Sequence, residues 1–160
     1  MPRSVRRNPG RPVPRPAAAA PPGPAGRRLW WAAAGLAAAG AGISGYLTVT
    51  ALQGIPPVCL AGACDEVAAS PYARFLGLPI AAWGLGLYVV VAAVAAAGAR
   101  AGAGFPVVLL GLAAFGTTFS LYLLWVQIAV LRAICAWCVA SDVLWVGLAA
   151  VAVLLLRTPH

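Results

Sequence analysis

Cys59, Cys64, Cys135 and Cys138 are the four cysteines of the chain, and they come as two close pairs. Cys135-Ala136-Trp137-Cys138 is a C-x-x-C that opens a long apolar run. If that run is a helix, the pair lies at its N-terminus. Unsatisfied N–H groups and the positive end of the helix dipole there favour a thiolate. A thiolate is the nucleophile of thiol–disulfide exchange, and the i,i+3 spacing keeps both sulfurs on one face. The Cys59-x4-Cys64 pair sits in a loop that begins Ile55-Pro56-Pro57. A flexible loop pair suits an electron shuttle that meets a soluble partner and then the buried pair. Two structural disulfides, or a zinc site of four thiolates, would use the same residues, but His160 is the only histidine to support a metal. Four cysteines allow three pairings, which the sequence leaves open. The reading taken is a redox relay without metal.

Asp142 is the acidic residue inside an apolar run, one turn beyond Cys138 and on the same helix face. An intramembrane carboxylate is costly, and by default it suggests function. As a neutral acid it could hydrogen-bond a cofactor carbonyl or relay a proton; otherwise Thr117, Thr118, Ser44 or water would satisfy it. Asp65 and Glu66 read as a loop cap and solvated charge, and Gln127 and Ser141 as ordinary interhelical hydrogen-bonders.

The elements that must position these groups are membrane spans. Of 160 residues, 62% are hydrophobic and 9% charged, too few charges to cover a soluble domain. About 20 apolar residues cross a bilayer core, and four segments reach or approach that length: 29–50, 79–97, 105–131 and 135–156. The predicted fold is an all-α integral membrane protein, a four-helix bundle. Between the first two spans lies a loop, 51–78, in which Ser70 as N-cap, Pro71 at the first helical position and Gly77 as stop predict a short amphipathic helix. Tyr72, Phe75, Leu76 and Leu78 would lay it on the bundle as a lid. Small pairs at i,i+4, namely Ala38/Gly42, Ala82/Gly86 and Ala113/Thr117, predict close helix approach.

All 11 basic residues are Arg, and seven lie before Leu29 among many prolines. This segment, 1–28, is expected to be a disordered arm. It carries no aromatic residue interleaved with its charges, so contact with anionic lipid is a plainer reading than nucleic acid. The 22-residue run 29–50 is long for a signal peptide and is taken as retained. With four spans, the arm, Arg100 and the tail 157–160 share one face, and the positive-inside rule places it in the cytoplasm. The loop and the mouth of the fourth helix, with all four cysteines, then face outward into disulfide-permissive territory.

The segment from Cys64-Asp65-Glu66 through Ser70-Pro71-Tyr72-Ala73-Arg74-Phe75-Leu76-Gly77-Leu78-Pro79, preceded by Cys59, resembles the loop of bacterial vitamin K epoxide reductase homologues. Ser44-Gly45-Tyr46-Leu47-Thr48, Trp83-Gly84 and the late C-x-x-C extend the resemblance over roughly 29–156. It implies a quinone-dependent disulfide oxidoreductase of the bacterial inner membrane, holding a menaquinone or ubiquinone near the outer ends of the helices. It also implies a partner, a thioredoxin-like protein that introduces disulfides into exported substrates. Here that partner is expected as a separate protein, since no fused thioredoxin-like domain follows the fourth span before His160. By motif position Cys59 would take electrons from the partner, Cys64 would pass them to Cys135, and Cys138, with Asp142, would face the quinone. The unrelated disulfide-bond oxidase type also uses two cysteine pairs and quinone. Its C-x-x-C lies in the first outer loop, opposite to the order here.

Overall fold

The computed structural model describes residues 22–59, 61–101 and 104–158. Most of the arm and His160, whose structure and lipid contact were expectations above, lie outside the described residues.

Four helices are long and apolar enough to cross a membrane: α1 (Pro24–Gln53), α3 (Ile80–Ala101), α4 (Phe105–Trp125, prolonged by a π-helical turn Val126–Leu131) and α5 (Ala136–Arg157). Helix α1 begins five residues before the expected boundary, so Pro24–Arg28 are helical rather than part of a free arm. Pro24 at its first position accounts for this start, because the fixed φ suits the first turn and the missing N–H would have had no partner there. Helix α1 ends at Gly54, whose φ of 68° supplies the left-handed cap. Around the bundle α1 packs on α3 and α5, and α4 on α5 and α3.

Each helix buries one stripe at helical spacing: Trp30, Ala33 and Ala37; Tyr88, Val91 and Ala95; Leu109 and Ala113; Trp145, Leu148 and Ala152. The other faces expose Val89, Val90, Val107, Leu121, Val143 and Val146, a distribution suited to lipid rather than water. Of the predicted pairs, Ala113/Thr117 turns inward with Ala113 in the core, whereas Ala38, Gly42 and Gly86 face outward. Three other glycines meet aromatic rings instead: Gly40 against Tyr88, Gly98 against Trp30 and Gly116 against Trp145. A Cβ at any of them would enter the ring, so large side chains in the core set which glycines are buried. Tyr88 and Trp145 stack with centroids 4.4 Å apart, and the Tyr88 hydroxyl meets the Ser141 hydroxyl at 2.9 Å.

The connection between α1 and α3 carries a short helix, as expected, but in a different place. Helix α2 is Cys64–Ala69, with Asp65 and Glu66 in its first turn. Ser70 does not cap a following helix; its hydroxyl donates back to the Val67 carbonyl at 2.7 Å. Pro71–Ala73 forms one 3-10 turn, and Arg74–Phe75 (β1) pairs with Leu78–Pro79 (β2) as a hairpin. Leu76 and Gly77 turn the hairpin with φ of 51° and 82°, the two positive values that a primed two-residue turn requires. Tyr72, Phe75, Leu76 and Leu78 are therefore not one side of a helix; all four are exposed, and Phe75 packs edge-on against Trp83 of α3. The indole N–H of Trp83 donates to the Phe75 carbonyl at 3.2 Å and ties the hairpin to α3.

Candidate functional site

The α1–α3 connection and the tight α4–α5 turn lie at one end of the bundle, so the fold brings all four cysteines together there. Cys59 and Cys64 are joined as a disulfide with Cα atoms 5.7 Å apart. Cys135 and Cys138 are free thiols. One pair is thus bonded and the other open.

The inner pair owes its geometry to the start of α5. Cys135 is the N-cap, outside the helix rather than its first residue, and its sulfur accepts the Cys138 backbone N–H at 3.4 Å. This satisfies one of the orphan N–H groups of the first turn and places positive potential at the sulfur, which favours the thiolate. The Cys135 thiol is held below its ordinary value, at about 7, chiefly by a hydrogen bond from the Cys138 side chain. Burial opposes this, and the backbone N–H groups of Cys138 and Trp137 add to it.

The loop pair is less free than a flexible shuttle would be. The residue before Cys59 is gripped at both main-chain groups: the Val58 N–H donates to the Tyr46 hydroxyl at 2.8 Å, and its carbonyl accepts the Trp137 indole N–H at 2.8 Å. The two rings lie 5.5 Å apart. Beyond the disulfide, the Ala63 N–H donates to the Ile134 carbonyl at 2.9 Å, and Gly62 bridges Cys135. Trp137, inside the C-x-x-C, thus holds the segment that leads into Cys59. Tyr46 stood in the motif Ser44-Gly45-Tyr46, but its contact with the loop depends on how α1 and α5 pack, which spacing does not reveal.

Two cavities meet at Cys138. The outer one, about 580 Å³, is lined by Cys64, Cys135 and Cys138 together with α2, Pro56, Pro57 and Gln127. The second, about 490 Å³, lies among all four long helices and is lined by Cys138, Ser44, Ser120, Asp142, Phe119 and Trp83, among others. Cys64 and Cys135 are buried, and Cys138 is half-buried. Asp142 lies beside the second cavity, as its spacing from Cys138 suggested. Its partner is a residue that sequence reasoning did not consider: Ser120 on α4 donates its hydroxyl to Oδ1. Oδ2 has no partner among the described residues, nor does the nearby Thr117 hydroxyl.

Gln127 is the other residue that sequence reasoning undervalued. It is 3% exposed, and its carboxamide oxygen accepts the Cys135 N–H at 2.8 Å. The π-helical turn at the end of α4 carries it, and nothing in an unbroken apolar run announces such a turn.

A four-helix bundle of membrane-spanning length that gathers a disulfide and a second, open cysteine pair at one end fits a class, the membrane thiol–disulfide oxidoreductases. The sequence model of the vitamin K epoxide reductase family matches residues 31–153, most of the chain. The protein belongs to that family.

Proposed function

We propose that the protein couples oxidation of a thioredoxin-like dithiol protein to reduction of a membrane quinone, and so sustains disulfide formation in exported proteins. The observation that carries this reading is the position of Cys138, which borders both the cavity of Cys64 and Cys135 and the cavity of Asp142. Electrons entering at the loop pair would leave at Cys138.

The oxidised loop pair and reduced inner pair are one stage of such a cycle. A thiolate of the partner attacks the Cys59 sulfur and displaces Cys64; the partner's second thiolate then releases Cys59, leaving the partner disulfide and two loop thiols. Once the inner pair has been reoxidised, the Cys64 thiolate attacks Cys135 and displaces Cys138. Cys59 then attacks Cys64 and releases Cys135, so one electron pair has moved inward and the disulfide and the dithiol have exchanged places. A bound quinone supplies the acceptor of two electrons and two protons that returns the inner pair to the disulfide.

The second cavity suits such a group. Its volume falls within the roughly 300–1,000 Å³ of small-molecule sites. Phe119 and Trp83 offer flat apolar walls, and Ser44, Ser120 and Asp142 cluster its polar groups near Cys138. The carboxyl of Asp142, fixed at Oδ1 by Ser120, keeps Oδ2 free to hydrogen-bond a carbonyl or hold a proton. The arginine asymmetry supports placing both termini in the cytoplasm and the cysteines on the outer face of a bacterial cytoplasmic membrane.

The test is quinone reduction by the purified protein in detergent with a small dithiol as electron donor. Wild type turns over and Cys138→Ser does not. A folded wild type that reduces neither menaquinone nor ubiquinone analogues removes the proposal.

A further inference from the structure

Gln127 organises the whole turn that delivers Cys135. Its main-chain carbonyl accepts the N–H of Arg132, which closes the π-helical turn, and the N–H of Ala133 at 3.0 Å. Its side-chain oxygen accepts the N–H of Cys135 at 2.8 Å. An N–H can only donate, so the oxygen end of the carboxamide must face it. Three N–H groups in a four-residue stretch therefore converge on one residue. Arg132, the first of them, takes the left-handed conformation, φ 53°, that a side chain adopts only when its surroundings impose it.

The π turn makes this possible. Widening the last turn of α4 to i→i+5 rotates Gln127 to the buried side, where the next apolar neighbours, Ile128 and Val130, point outward. Such single π turns concentrate at functional sites. Here the turn aims an acceptor at the backbone of the residue that lines one cavity with Cys64 and whose sulfur receives the Cys138 N–H.

We infer that Gln127 is a positioning residue for the inner thiol pair, fixing the Cys135 main chain so that its sulfur stays at the N-cap of α5 and within reach of Cys64. Cys135 sits directly after a three-residue turn and before the first helical residue, so no helical hydrogen bond holds its N–H. Without the Gln127 oxygen this buried N–H has no acceptor, and the cap is free to turn its sulfur away from the Cys138 N–H. The inference rests on reading Cys135 as the thiol that faces the loop pair.

Two readouts separate it from that reading. The first is the pH profile of Cys135 alkylation by a small iodoacetamide in detergent, which needs neither quinone nor partner. In Gln127→Leu, of similar size but without an acceptor, the midpoint rises above the wild-type value and the rate at neutral pH drops roughly tenfold, the rate equivalent of one lost hydrogen bond. The second is the rate at which Cys64 and Cys135 form a trapped disulfide when Cys59 and Cys138 are both serine. Gln127→Leu slows it by a similar factor. Gln127→Glu restores the acceptor, and with it the trapped disulfide, while its charge keeps the alkylation midpoint high. Thermal unfolding of each variant shows whether it is folded. A folded Gln127→Leu with wild-type alkylation overturns the inference, as does Gln127→Glu that exchanges no faster than Gln127→Leu. Should Cys64 and Cys135 never join with Gln127 intact, the relay reading fails by itself, and the alkylation profile still decides the role of Gln127.

Discussion

Gly62 and Cys135 face each other as an isolated antiparallel bridge, where the main chain of the loop pairs with the mouth of α5. Gly62 has φ 91°, and a Cβ there would strike the carbonyl oxygen of Ile134. Both facts require glycine, and Ala63 next to it completes the dock through its N–H. Cys64 follows directly, so the bridge sets where the loop sulfur lies relative to Cys135.

Gly62→Ala should undock this segment from the mouth of α5. The imposed backbone strain is roughly 1–3 kcal/mol, enough to slow formation of a trapped Cys64–Cys135 disulfide about tenfold or more. Cys135 alkylation should keep its wild-type pH midpoint, because the groups that hold the thiol down, the Cys138 side chain and the backbone N–H groups of Cys138 and Trp137, are not the atoms that a Cβ at Gly62 would strike. Unchanged disulfide trapping in the alanine variant would mean that the loop reaches Cys135 by a different approach.

The grip on Val58 makes a second expectation. Tyr46→Phe removes the acceptor for its N–H, and Trp137→Phe removes the donor to its carbonyl. Each should cost about 1 kcal/mol of loop docking and hasten reduction of the Cys59–Cys64 disulfide by a soluble dithiol. Both bonds hold one residue, so the double variant should show less than the sum of the two effects. The rate of disulfide loss, followed by mass shift after alkylation, is the measurement. Rates equal to wild type would show that Cys59 is already fully open to solvent reagents.

Much of this architecture is legible in composition alone. Four apolar runs, the Arg asymmetry and the C-x-x-C at the head of the last run lead to the bundle, and cysteine spacing leads to the two pairs at one end of it. The misses have definite causes. Ser70-Pro71 carries a good helix-start pattern, but Leu76-Gly77 closes a hairpin, and pairing of Arg74–Phe75 with Leu78–Pro79 overrides the local signal. Ala38/Gly42 has the right spacing on the wrong face, because Tyr88 selects Gly40. The roles of Gln127 and Ser120 depend on helix rotation and on a π turn, neither of which leaves a mark in hydropathy.

Reactivity of Cys135 should have its own pH signature. Its thiol is held at about 7, first by the Cys138 side chain, so the thiolate predominates above that pH and is lost as pH falls through it. Alkylation of Cys135 in the wild type should therefore rise through neutral pH, well below the range of an ordinary thiol. Cys138→Ala removes the leading cause while leaving the backbone N–H groups in place. Its midpoint should move upward, toward the ordinary value but short of it. A midpoint that stays where it was would assign the activation to the helix terminus alone.

Under the proposed function, Asp142 should separate thiol exchange from quinone chemistry. Ser120 anchors Oδ1, and Oδ2 has no partner among the described residues beside a cavity that also borders Cys138. Asp142→Asn retains an oxygen for the Ser120 hydroxyl and offers an NH₂ donor where Oδ2 stood, but it has no titratable proton. Exchange between the cysteine pairs should then proceed at the wild-type rate, while quinone reduction slows by roughly 10²–10⁴-fold, as for a lost general acid. Asp142→Leu removes the donor as well, and should raise the quinone concentration needed for half-maximal turnover, which Asp142→Asn should leave nearly unchanged. Turnover against quinone concentration in both variants, beside thiol exchange and thermal stability in the same preparations, distinguishes the outcomes. If a folded Asp142→Asn turns over like wild type, the protons reach the quinone from water at the outer end of the bundle, and the Ser120–Asp142 bond serves only to join α4 to α5.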